Sequence, residues 1–68
     1  MRYRIAFPTL TSADEEEQIL LDLGINQYIK WSLSYWNITC SPEILTMLIL
    51  KYDISYYDLS RVSPENYL

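Results

Sequence analysis

The sequence predicts a mainly α protein, a small three- to four-helix bundle preceded by a short N-terminal β-strand. Three observations carry that expectation. Ser41-Pro42-Glu43 is a helix start, and the apolar run ILTMLILKY follows it. Serine caps, proline suits the first helical position, and glutamate favours the positive end of the helix dipole. Ser12-Ala13-Asp14-Glu15 spells a capping box. Ile25, Ile29, Leu33 and Trp36 fall at helical spacing on one face.

Along the chain, residues 1–8 read as a strand or arm. Tyr3, Ile5 and Phe7 alternate with Arg2, Arg4 and Ala6, and Pro8 ends the run because it cannot donate to a ladder. Such a strand needs partners for its backbone groups. Three are open to it: a short extended piece near Ile38-Thr39-Cys40, a second subunit, or the sheet edge of another protein. The first helix is expected at about 13–23, with Asp14, Glu15, Glu16 and Glu17 in its first turn and Ile19, Leu20 and Leu23 facing inward. Gly24 stops it in a left-handed conformation, and Ile25 folds back on the last turn. Asn26 looks like the next cap, opening a helix over about 26–36. Tyr28, Trp31 and Tyr35 form a second, aromatic stripe on it. A third helix spans about 42–52 and is apolar nearly all round, the mark of a central helix. Ser55 caps a fourth, about 55–62, and Ser63-Pro64-Glu65 repeats the earlier boundary device before a last turn.

Composition limits the function. With 68 residues the chain forms a single domain with a thin stability margin. Half the residues are hydrophobic, and seven tyrosines and two tryptophans supply large buriable area. There is no histidine, hence no common general base or metal ligand, and the one cysteine cannot form an internal disulfide. Cys40 has no base to activate it and reads as a small buried hydrophobe, although a helix start follows it. The single glycine leaves no glycine-rich phosphate loop. No catalytic, cofactor-binding or metal-binding residue is expected, and no cofactor. Apolar runs are far shorter than the ~20 residues of a membrane span. The N-terminal MRYRIAF has no long apolar core or cleavage site, so a cytoplasmic protein with a reduced thiol is expected. The formal net charge of −4 argues against a surface built to hold nucleic acid.

The stretch KYDISYYDLSRV, 51–62, raises one alternative. Helix, turn, serine cap and new helix over 44–62 would describe a helix-turn-helix DNA-binding regulator. The outward residues of its second helix would be Tyr56, Tyr57, Asp58, Ser60 and Arg61, and only Arg61 can neutralise a phosphate. A packing corner between two helices is therefore preferred. The order LGI, then an apolar helix, then LTMLILKYDI and DLSRV, resembles a family of small cyanobacterial proteins of unknown function. The match covers about Leu23 to Val62, with Asp53 where that family carries glycine. The resemblance implies a small soluble helical module and brings no activity.

The expected function is a non-enzymatic protein–protein interaction module: an adaptor, regulator or inhibitor of a larger protein, of the kind phages encode against host systems. The partner is that larger protein, or a second copy joined through the N-terminal strand. Tyr28, Trp31, Tyr35, Tyr56 and Tyr57 are the candidate anchors, because Tyr and Trp are enriched at binding hot spots. Asp14, Glu15, Glu16 and Glu17 are the candidate acidic docking patch.

Overall fold

The structure, a computed structural model, describes residues 1–8 and 12–61. The elements run β1 (Arg2–Ala6), α1 (Ala13–Asp22), β2 (Gln27–Lys30), β3 (Trp36–Thr39), α2 (Pro42–Tyr52) and β4 (Ser55–Asp58). A 3-10 turn, Leu59–Arg61, follows. The four strands form one antiparallel sheet in the order β2-β3-β1-β4, a split β-α-β arrangement with two helices. The mainly α bundle expected from the sequence is thus overturned, and so is the small helical domain implied by the cyanobacterial resemblance.

The strand and two of the helices fall where the residues place them. In α1 the Ser12 hydroxyl accepts from the Glu15 amide at 3.2 Å. At its end Gly24 adopts φ +80°, its N–H donates to the Leu21 carbonyl, and the Ile25 N–H donates to Leu20. That pair of bonds is a Schellman motif, which turns Ile25 back into the core. In α2 Ser41 accepts from the Ile44 amide, Pro42 occupies the first turn, and Asp53 caps the C-terminus in the left-handed region at φ 56°.

The helix expected over 26–36 is instead the β2–β3 hairpin. Ile25, Ile29, Leu33 and Trp36 share a spacing but not a face: Ile25 and Trp36 are buried, Ile29 is 66% exposed and Leu33 is 99% exposed in the turn. The Trp31 and Ser32 amides both donate to the Tyr35 carbonyl, closing that turn. QYIK and WNIT are rich in aromatic and β-branched residues, which suit a pleated surface. The helix expected over 55–62 is also absent. Ser55–Asp58 is an edge strand, so the helix-turn-helix over 44–62 does not form. Val62 and Ser63-Pro64-Glu65 lie outside the described residues.

Both corrections have one physical cause. β1 carries backbone donors and acceptors along two edges, and each needs a partner. β3 takes one edge, pairing Arg2 to Ile5 with Thr39 to Trp36, and β4 takes the other, pairing Tyr3 to Ala6 with Asp58 to Ser55. Of the three partners open to the N-terminal strand, the internal one near Ile38-Thr39-Cys40 is used. Both edges of β1 are occupied, so the strand offers no edge to a second subunit.

The register assigns every strand residue to a face, since directly opposed residues point the same way. Two rows face the helices: Lys30–Trp36–Ile5–Tyr56 and Tyr28–Ile38–Tyr3–Asp58. Leu20, Leu45 and Leu48 from the helices pack against them with Ile25 and Ile54. Ile5, Leu20, Ile38 and Leu48 are the fully buried centre. Among the described residues no helix is long and apolar enough to cross a membrane.

Candidate functional site: the open face of the sheet

Among the described residues no helix lies over the other two rows. Ile29, Asn37, Arg4 and Tyr57 cross the sheet from edge to edge, and Gln27, Thr39 and Arg2 lie beside them. Arg4 is the centre of this face. Its Nε donates to Asn37 Oδ1 at 2.9 Å, and its guanidinium lies 3.6 Å from the centre of the Trp31 ring. Trp31 meets Tyr35 edge-on at 5.9 Å, and Tyr35 leans on Tyr57 at 6.4 Å. The hairpin turn therefore folds its aromatics over the same face as the cross-sheet row. Trp31 stays 53% exposed and Tyr57 61% exposed. Cation–π contacts of this kind contribute roughly 0.5–1 kcal/mol at exposed sites, so the stack positions Trp31 more than it stabilises the fold.

The charge is segregated. The strand residues of the open face include Arg2 and Arg4 and no acid. Among the described residues the exposed acids are Asp14, Glu15, Asp22 and Glu43 on the two helices, which pack on the opposite face, and Asp53 at the C-terminal cap of α2. A protein with a net charge of −4 thus carries one face with a cationic and aromatic character.

The nine residues singled out from the sequence divide among three places. Trp31, Tyr35 and Tyr57 come together on the open face. Tyr28 and Tyr56 go to the helix side, where Tyr28 packs edge-on against Trp36 at 5.7 Å and Tyr56 against Tyr3 at 6.1 Å. The acidic run splits. Asp14 and Glu15 are exposed, whereas Glu16 and Glu17 turn inward. Glu16 is 8% exposed and accepts from Trp36 Nε1 at 2.8 Å and from Lys30 Nζ at 3.3 Å. Glu17 accepts from the Tyr28 hydroxyl. Those two carboxylates bind α1 to the sheet. Lys30 is an inward-pointing charge on an edge strand, a feature that discourages pairing with another chain's strand.

Arg2, Arg4, Ile29, Asn37 and Thr39 were not among the expected site residues. For the arginines the signal was present, because the alternation of β1 already placed Arg2 and Arg4 on the face away from Tyr3 and Ile5. For Ile29 it was hidden by the helical reading of 26–36, and Asn37 and Thr39, beyond that helix, carried no signal that set them beside Arg4 and Arg2.

Three titratable groups respond to burial and contact. The Glu17 carboxylate at its hydroxyl, with burial second, pushes the Tyr28 phenol above its ordinary 10.0. Burial, then the Asp58 carboxylate, pushes the Tyr3 phenol up. Burial raises the Cys40 thiol above 9.0, outweighing the N-terminal ammonium and the Leu45 amide that act the other way. The helix start beside Cys40 therefore does not activate it. Among the described residues no group of three or more Cys, Asp and Glu side chains is placed to hold a metal ion.

Comparison of the chain with family models, with curated proteins and with solved structures finds no match.

Proposed function

We propose that this chain is a non-enzymatic protein-binding module, an adaptor, regulator or inhibitor of a larger protein, and that it engages its partner through the open face of the sheet. The observation that carries this reading is the row Ile29–Asn37–Arg4–Tyr57 with Trp31 and Tyr35 folded over it. Trp, Tyr and Arg are the residue types that dominate binding energy at protein interfaces. Here they are contiguous, held in register by four strands and restrained by mutual packing, so little side-chain entropy remains to be lost on binding. The lone thiol of Cys40 supports a reducing cytoplasmic setting.

Single-stranded nucleic acid is the competing occupant of an aromatic sheet face. The cation inventory favours protein. Arg4 is committed to Trp31 and Asn37, which leaves Arg2 alone on the strands of this face, whereas nucleic-acid affinity grows with the number of phosphates neutralised.

The test is affinity capture from the native host with the wild-type chain and with the Trp31→Ala/Tyr57→Ala pair. A stoichiometric partner held by the wild type and lost by the pair is the expected result. Retention by the pair, with loss instead on changing Leu50 and Met47 on α2, would move the site to the helix side.

A further inference from the structure

The open face also has a groove, of about 170 Å³, at one end of the sheet. Arg2, Gln27, Ile29, Asn37 and Thr39 line it. Asn37 Oδ1 accepts from Arg4 Nε, so its amide nitrogen remains as a donor. Gln27 and Thr39 bring further donors, and Ile29 an apolar wall. Among the described residues Arg2 is exposed and its guanidinium has no hydrogen-bond or ion-pair partner. Among the described residues no carboxylate lines the groove. It is therefore a donor-rich pocket with one uncommitted guanidinium, beside a ridge of aromatic rings.

We propose that the occupant of this face is a short acidic segment of the partner protein, with one Asp or Glu carboxylate held at Arg2 and an apolar or aromatic neighbour laid against Ile29 and Trp31. This rests on the protein-binding reading and names its ligand chemistry. Three quantities support it. Arginine takes a carboxylate as a bidentate, charge-assisted pair, the strongest hydrogen bonding the groove can offer. The face is small: four strands about 4.8 Å apart and about four residues long cover roughly 250 Å² in projection, the footprint of one extended segment. Among the described residues a single uncommitted cation, set among neutral donors and aromatic rings, matches one carboxylate, not a run of phosphates.

A second copy of this chain fits less well. Two open faces laid together would oppose Arg2 and Arg4 to their own counterparts, a like-charge contact. The acidic start of α1 from another copy would be a heterologous contact that need not close.

The deciding experiment is selection of random twelve-residue peptides on the full chain, in parallel with a random pool of single-stranded RNA. The wild type is expected to enrich peptides carrying Asp or Glu one or two positions from an aliphatic or aromatic residue. Replacing that acid by its amide should weaken binding about tenfold or more. Arg2→Glu should invert the preference toward Lys or Arg, and Thr39→Glu, which places an acid in the groove, should abolish binding of the acidic peptides. Both positions lie on the surface side of the sheet, and unchanged far-ultraviolet circular dichroism melts will show that the fold is intact. Acid-free winners that still lose affinity on Trp31→Ala overturn the acidic-segment inference and leave the protein-binding face standing. Winners indifferent to both Trp31→Ala and Tyr57→Ala overturn the face itself. Absence of any enriched peptide overturns the inference, and enrichment of RNA through Trp31 and Tyr57 overturns both readings.

Discussion

Tyr56 and Tyr57 are adjacent in the chain and lie on opposite faces of β4. Tyr56 meets Tyr3 on the side that the helices cover, and Tyr57 meets Tyr35 on the side left open. The same contrast holds for the cations. Lys30 lies over the Trp36 ring at 4.8 Å but is tied to the buried carboxylate of Glu16. Arg4 lies over the Trp31 ring with an amide oxygen, not a carboxylate, as its hydrogen-bond partner. On the covered face charge is neutralised within the chain. Among the described residues the arginines of the open face have no carboxylate partner. Similar residue types thus serve cohesion on one side of the sheet and stay partly exposed on the other, and the difference is whether an acid from a helix reaches them.

The comparison is broken most severely from the covered side. Leu48 is fully buried between α2 and the sheet, and Leu48→Ala is expected to cost about 2–5 kcal/mol through lost transfer energy and the cavity left behind. A loss of that size approaches the whole margin of a domain this small. Urea titration followed by tryptophan fluorescence will read it, and an unshifted midpoint would mean that Leu48 is not at the centre of the core. Glu16→Ala should come next, at about 1–3 kcal/mol, because it leaves the buried Trp36 N–H without its acceptor and releases Lys30. A cost near zero in the same titration would reduce the Glu16 junction to an incidental contact.

The alkaline limb of stability should follow from the raised groups. Tyr28, Tyr3 and Cys40 have folded-state values above their ordinary ones, so the unfolded chain ionises first. Their contribution is complete below the ordinary values and is lost as pH rises through the folded ones. The Tm should fall from about pH 9 upward, where the ordinary value of the thiol, 9.0, is reached before those of the phenols, 10.0. Tyr28→Phe should flatten that slope, and an unchanged slope would remove the Tyr28–Glu17 bond from the account.

The smallest effect on stability should come from the open side. Tyr57→Ala is expected to shift stability by within about 0.5 kcal/mol, the range for surface positions, whereas Tyr56→Ala should exceed it. Paired melts of the two variants measure the contrast directly. If Tyr57→Ala proves the more destabilising, the open face is a structural surface and not a docking surface.

Much of the fold was legible because it is local. The serine cap at Ser12, the glycine stop at Gly24 and the Ser41-Pro42-Glu43 start each depend on residues within a few positions of one another, and all three fall where they were expected. The strand at Arg2–Ala6 was legible from strict alternation. The hairpin and β4 were not. In QYIK and SYYD four residues cannot distinguish one period from another, and an aromatic ring is welcome on either helix or strand. Of the aromatic stripe Tyr28, Trp31 and Tyr35, the last two come together over the open face, and the register sends Tyr28 inward to Glu17.

The chain by itself determined where α1 and α2 begin and end, that residues 2–6 form a strand, and which side of that strand carries Arg2 and Arg4. Only the tertiary structure decided that 27–30, 36–39 and 55–58 are strands, because their conformation depends on hydrogen bonds to backbone groups far away in the chain. The same pairing chose the open face. Side chains distant in sequence were placed in one row by the ladder, and no local propensity could have shown that Arg4, Asn37 and Tyr57 would stand side by side.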